Sequence, residues 1–302
     1  MSGPTTIMAV EEQRKRTAHA ADAARPLRVG LVGRGIQLSR TPRMHEAEAA
    51  ALGFACRYDL LDTDAGTRGT LAEIVARAEA DGFAGLNVTY PYKQEAIALL
   101  DELSDAARRV GAVNTIVFRD GRRFGHNTDF WGFAESVRRD LPDAPMGTVL
   151  LLGAGGAGGA VAHALAELGA GRILITDTRA EAAAALVGAV NAVAPWRASL
   201  AGDLAMAAAV ADGIVNATPV GMAKLPGTPI DPALLERRHW VADIIYFPLE
   251  TALLHAARAR ACTTLSGEGM AVFQAARAFE LFTGREPDAG RMRETFRSFG
   301  AS

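Results

Sequence analysis

A strand-like run, Val149-Leu150-Leu151-Leu152, ends in Gly153-Ala154-Gly155-Gly156-Ala157-Gly158-Gly159, and a helix-compatible stretch follows at once. Glycines at 153, 155 and 158 let the backbone approach a pyrophosphate and aim a helix N-terminus at its negative charge. A tightly packed strand-to-helix corner also calls for glycine, so the motif gains weight only from context. Here the next apolar run, Ile173-Leu174-Ile175-Thr176, closes on Asp177. An acid about 20 residues beyond the glycines accepts hydrogen bonds from the adenosine ribose of a dinucleotide. The turn also sits in mid-chain, so a domain's length of sequence precedes it. The expected layout is a substrate domain first and a dinucleotide-binding domain second.

The chain has 302 residues, 49% of them hydrophobic and 22% charged, which is ordinary for folded α/β domains and enough for two cores. A formal net charge of −2, without a basic stripe or acidic tail, gives no footing for a nucleic-acid or membrane-surface partner. Cys56 and Cys262 are too few for a disulfide framework or a thiolate metal site, and no His, Cys or Asp cluster has metal-ligand spacing. No apolar stretch approaches the ~20 residues that span a bilayer. Residues 1–26 carry Glu11, Glu12, Arg14, Lys15 and Arg16 without an apolar segment, and read as a mobile tail rather than a signal peptide. These features together imply a cytoplasmic protein. Whether it is a monomer or a homodimer stays open.

Before the glycine turn, strands are expected at 27–32, 57–61 and 85–89, with helices near 44–52 and 70–81. Leu71, Ile74, Val75 and Ala78 mark one buried face of the second helix. That alternation predicts a parallel sheet covered by helices. Pro91 is expected to open a helix running to Leu103, and Asp120-Gly121 to close a short hairpin between 112–118 and 123–125. From Val149 the pattern restarts as a doubly wound half with strands at 172–176, 213–216 and 240–245. Helices at 270–283 and 291–299 then fold back on the first domain. The fold class is α/β in two domains: an N-terminal parallel-sheet substrate-binding catalytic domain (27–129 with 270–302) and a Rossmann-type NAD(P)-binding domain (130–269).

The cofactor residues expected from this pattern are Gly153, Ala154, Gly155, Gly156, Ala157 and Gly158, with Asp177 at the ribose. Asp177 repels a 2′-phosphate and so favours NAD, while Thr178 and Arg179 beside it keep NADP open, since an arginine there pairs with that phosphate. Asn216-Ala217-Thr218-Pro219 closes a further strand on the sheet edge where ligands bind, although an ordinary loop reads the same way. For chemistry, Lys93 follows the strand end Asn87-Val88-Thr89, and Asp129 lies in His126-Asn127-Thr128-Asp129 just before the second domain. A lysine beside a carboxylate in a cleft can take the hydroxyl proton while hydride leaves an alcohol.

These residues resemble the shikimate dehydrogenase family from about Leu27 to about Phe299. The motifs that carry the resemblance are 87–93, Gly111-Ala112-Val113-Asn114-Thr115, Gly125 to Asp129, the glycine loop, 216–222, and Gly269-Met270 with Gln274. The resemblance implies that Lys93 and Asp129 are the catalytic pair. It further implies that Thr89, Asn114, Asp129 and Gln274 bind ring hydroxyls, that Ser39 and Thr41 hold the substrate carboxylate, that Tyr246 lines the pocket and that Met270 borders the cofactor. The substrate is then a carboxylated polyol such as shikimate, oxidised reversibly to its 3-dehydro ketone in the shikimate pathway of aromatic amino acid biosynthesis. The family usually shows Ser-x-Ser in the carboxylate loop and Asn-Arg-Thr after the second cofactor strand. Ser39-Arg40-Thr41 and Asp177-Thr178-Arg179 are instead similar to the quinate/shikimate dehydrogenase subgroup, whose members can use NAD and accept quinate. An aminoshikimate-type paralogue and a catalytically silent nucleotide-sensing module are the alternative readings.

Overall fold

The computed structural model describes residues 26–300, so all but the last residue of the expected tail at 1–26 lies outside the described residues. Two six-stranded sheets organise the chain. The first part runs β1 (Leu27–Gly33), α1 (Thr41–Ala51), β2 (Cys56–Asp62), α2 (Leu71–Ala80), β3 (Gly85–Val88), β4 (Glu102–Leu103), α3 (Asp105–Val110), β5 (Thr115–Arg119) and β6 (Arg122–His126). Helix α4 (Thr128–Asp140) leads to β7 (Thr148–Leu152), α5 (Gly156–Glu167), β8 (Arg172–Thr176), α6 (Ala180–Val193), β9 (Ala198–Leu200), α7 (Leu204–Val210), β10 (Gly213–Asn216), β11 (Trp240–Asp243), α8 (Ala252–Ala259) and β12 (Thr263–Leu265). The long α9 (Glu268–Thr283) and α10 (Ala289–Arg297) complete it.

The second sheet has the order β12-β11-β10-β7-β8-β9 and is parallel throughout, which is the doubly wound arrangement expected from the restart at Val149. Its central strand explains the unbroken apolar run. Val149 and Leu151 enter one core cluster and Leu150 and Leu152 the other, because successive side chains face opposite sides and helices cover both. The strand order reverses between β7 and β10, so the glycine turn after β7 and the Asn216 turn after β10 flank the same crevice.

The first sheet, β2-β1-β3-β5-β6-β4, is mixed. Strands β1, β2 and β3 pair in parallel as the β-α-β-α-β pattern implies, and the β5–β6 hairpin joins β3 antiparallel. Thr70 starts α2 with a reciprocal capping box to Glu73, and Leu71, Ile74, Val75 and Ala78 form its buried face. At the C-terminus, Glu48 of α1 is fully buried and accepts from Arg291 Nε and Nη2 at 2.7 Å each and from the Asp288 amide at 2.8 Å, which clamps α10 back onto α1.

The segment after Pro91 departs from expectation. In place of a helix from 91 to 103, residues 90–94 form a turn, residues 95–99 a short 3₁₀ helix, and Glu102–Leu103 a strand beside β6. The Lys93 carbonyl accepts the Val113 amide at 2.8 Å, and Asp101 N donates to Arg123 O at 2.9 Å. Long-range backbone partners have taken the groups that a helical ladder would need.

Candidate functional site

Lys93 therefore leaves a turn rather than a helix, and its Nζ lies 2.6 Å from Asp129 Oδ2 with both side chains largely buried. Asp129 stands in the first turn of α4, whose N-cap is Asn127: Asn127 Oδ1 accepts from Phe130 N at 3.0 Å, and its amide donates to Ala112 O at 3.0 Å. Beside it, Asn114 and Thr128 are interlocked. Asn114 Nδ2 donates to Thr128 Oγ1 at 2.9 Å and Asn114 Oδ1 accepts from Thr128 N at 2.7 Å. Thr128 Oγ1 lies 3.4 Å from Gln274 Oε1, and Gln274 Nε2 donates to Ala271 O at 3.2 Å. Asn87 carries the network inward, donating to Thr115 Oγ1 at 3.0 Å and accepting from the Tyr58 hydroxyl at 2.7 Å. The ends of β3 and β5, the start of α4 and the middle of α9 thus converge on one spot.

Ser39 sits in the loop between β1 and α1 and Thr41 is the first residue of α1, both half-buried, with Thr41 N donating to Ser39 Oγ at 3.4 Å. This loop abuts the Lys93 turn. Arg34 N donates to Tyr90 O at 3.0 Å, and a Cβ on Gly33 would stand 2.3 Å from Thr89 Cγ2. Its anchor is Asp62, which the sequence reading missed. The Asp62 carboxylate accepts from Gln37 Nε2 at 2.9 Å, Gly35 N at 3.0 Å and Ile36 N at 3.1 Å, and the Gln37 amide foremost holds it below the usual carboxylate range. Its only signal in sequence is an acid that ends a strand.

Arg40 figures in the sequence only inside the Ser39-Arg40-Thr41 motif, with no role of its own. Its guanidinium lies 4.7 Å from the Phe296 ring centroid and 5.8 Å from that of Phe247, and it donates to Phe296 O at 3.2 Å. Tyr246, in the loop after β11, meets Phe296 edge-on with ring centroids 6.2 Å apart. Burial raises the Tyr246 phenol's pKa, and of the charges that act on it Lys93 lowers it, Asp129 raises it and Arg40 lowers it. Tyr246 is nonetheless 46% exposed overall, as suits the wall of a cleft.

The glycine turn is closely packed on one side and open on the other. A Cβ on Gly158 would stand 2.2 Å from the Gly153 carbonyl oxygen, and Gly153, at φ 103°, would put one 2.8 Å from Ala217 backbone. Gly155 and Gly156 face open space, and Gly155 caps α5 without any side-chain hydrogen bond, so the helix start is open. Asp177 Oδ2 accepts from Ala154 N at 2.7 Å and Oδ1 from Arg179 N at 2.9 Å, with Arg179 Nε 3.7 Å away. Partial burial raises its pKa, but these amides and the guanidinium more than offset it and hold the carboxyl below its ordinary range. Asn216 Oδ1 accepts from Thr218 N at 2.9 Å and Thr218 Oγ1 at 2.7 Å, so 216–219 is a shaped turn rather than an open loop. Met270 is buried at the start of α9 beside Phe133, Asp243, Ile244 and Gly267.

Comparison with known proteins bears on this geometry. Residues 31–116 match the shikimate dehydrogenase substrate binding domain, and residues 267–295 the shikimate 5′-dehydrogenase C-terminal domain. The chain is 49% identical to a quinate/shikimate dehydrogenase (NAD(+)) of Corynebacterium efficiens over 89% of its own length and 97% of that protein. It is 52% identical to a shikimate dehydrogenase (NADP(+)) of Streptomyces avermitilis over 87% and 92% of the two chains. The structure of quinate dehydrogenase from Corynebacterium glutamicum in complex with NAD superposes with a TM-score of 0.87 at 46% identity, covering 90% of this chain and 99% of that one.

Proposed function

The chain belongs to the shikimate dehydrogenase family and acts as an NAD(P)-dependent shikimate/quinate dehydrogenase, and we propose that Lys93 and Asp129 carry its proton transfer and that NAD is its preferred cofactor. The observation that supports the first part most directly is the 2.6 Å Lys93–Asp129 contact at the meeting point of β3, β5, α4 and α9. In oxidation the ring hydroxyl gives its proton to the Lys93 amine, and in reduction the Lys93 ammonium returns it. Asp129 keeps Nζ aimed at the reacting oxygen and accepts from a neighbouring ring hydroxyl. When bound, the nicotinamide supplies the hydride acceptor or donor.

Ser39 and Thr41 hold the substrate carboxylate, and Thr89, Asn114 and Gln274 take ring hydroxyls. Among the described residues, the amides of Asn114 and Gln274 each use one N–H within the protein, leaving the second for a ligand. Tyr246 closes the cleft from the other side. Residues 153–158 and 216–219 receive the dinucleotide, with Met270 at its nicotinamide end.

The cofactor preference rests on Asp177, whose charge opposes a 2′-phosphate and already draws Arg179 to it. Known relatives include both an NAD and an NADP enzyme, so the comparison does not choose between them. A steady-state assay of shikimate and quinate against NAD and NADP tests the reading. NAD is expected to exceed NADP by about tenfold in kcat/KM, equivalent to ~1.4 kcal/mol, with turnover of both polyols. Equal or better use of NADP overturns the cofactor reading, and absence of quinate turnover overturns the dual specificity drawn from Thr41.

A further inference from the structure

We infer that Asp243 is a positioning residue that couples nucleotide binding to substrate binding, by holding the Asn216 turn and the Tyr246 loop on one carboxylate. The inference rests on the functional reading above. Asp243 ends β11 level with Asn216 on β10, and it is 1% exposed. Its Oδ1 accepts from Asn216 Nδ2 at 3.1 Å and from Ile245 N at 3.0 Å, and its Oδ2 accepts from Thr251 Oγ1 at 2.8 Å.

Each donor belongs to a different part of the site. Asn216 shapes the cofactor turn, since it also donates to Val220 O at 3.0 Å and accepts from Thr218. Ile245 and Thr251 stand immediately before and immediately after residues 246–250, so the carboxylate grips both ends of the loop that carries Tyr246. Thr251 Oγ1 in turn caps α8 through Leu254 N at 3.3 Å.

Among the described residues no lysine, arginine or histidine pairs with Asp243. Burial pushes its pKa up, and only the three neutral donors oppose that push. A buried carboxylate without a cation is a costly way to stabilise a fold, and an apolar pair would fill the space at less expense. Its return is geometric: neither loop can shift without straining a bond to the other. Ordering one loop by its ligand therefore orders the other, and linkage makes the effect reciprocal.

NADH titrated into the full-length protein with and without saturating shikimate, followed by nicotinamide fluorescence, measures the coupling in a complex that cannot turn over. Shikimate is expected to tighten NADH binding by about 5- to 50-fold in the unmodified protein. Asp243→Asn and Thr251→Val are each expected to bring that factor to within about twofold of unity, with Thr251→Ser retaining it. Thr251→Val leaves the Asn216 contact in place, so it reports on coupling even if Asp243→Asn fails to fold. An unmodified protein that binds both ligands independently, or folded variants with an unchanged factor, overturns the role of Asp243 alone. An unmodified protein that binds neither ligand overturns the functional reading and this role with it.

Discussion

Lys93→Ala is expected to lower kcat by about 10³-fold, within the 10²- to 10⁴-fold span of a lost general acid–base group. The KM values for shikimate and cofactor should move much less, because the groups assigned to hydroxyls, carboxylate and pyrophosphate all stay in place. Lys93→Arg should not restore turnover, since a guanidinium reaches for the same carboxylate and does not release its proton near neutral pH. Stopped-flow reduction of cofactor with saturating shikimate isolates the chemical step from product release. A Lys93→Ala enzyme with near-normal single-turnover rates would remove Lys93 from the reaction. The geometry makes the test sharp: the ammonium is 2.6 Å from Asp129, and among the described residues no other lysine forms an ion pair there.

Gly158→Ala is expected to act on the other half of the reaction. The added methyl would stand 2.2 Å from the Gly153 carbonyl oxygen, and that neighbour is backbone, which cannot swing aside like a flexible side chain. Overpacking of this kind costs roughly 1–3 kcal/mol. Most of it should appear where α5 is levered from β7, because that gap is where the dinucleotide is proposed to sit. The affinity for NAD is expected to fall by about 10- to 100-fold, since each ~1.4 kcal/mol is a factor of ten. Shikimate binding, for which Thr89, Asn114 and Gln274 are proposed, should change by less than about threefold. Separate calorimetric titrations with each ligand check both statements. Equal loss of both would mean that the glycine serves the whole fold rather than the cofactor loop.

The all-parallel half was readable in the sequence because its physics is local. An apolar run, a glycine turn and a helix follow one another in the chain, and Asp177 lies at the end of the next strand, so adjacency in sequence becomes adjacency in the crevice. The residues from Asn87 to Lys93 and from Gly125 to Asp129 carried a second local signal, and the structure brings Lys93 and Asp129 within hydrogen-bond distance. Other features depend on register between distant strands. The segment after Pro91 satisfies every rule for a helix start, yet the Val113 amide claims the Lys93 carbonyl, and no local pattern reports that contact. Asp62 and Asp243 read as acids at strand ends. Their weight comes from donors on Gln37, Asn216 and Thr251 that only the folded sheets assemble. Arg40 was quoted as part of a motif, but its ring of phenylalanines is supplied by the last helix and by the loop after β11.

Helix α4 joins the two sheets. Phe130, Phe133, Ala134 and Val137 bury one face of it in the core of the parallel sheet, while Thr128 and Asn127 at its first turn are bonded to Asn114 and Ala112 beside the mixed sheet. Gly132 lets it cross α9 so closely that a Cβ there would lie 2.8 Å from the Gln274 amide nitrogen. The first turn of α4 is thus bonded to the mixed sheet while the rest of the helix is packed in the core of the parallel one. The Lys93–Asp129 contact lies at that turn, so the carboxylate that holds Nζ is fixed from both sheets at once.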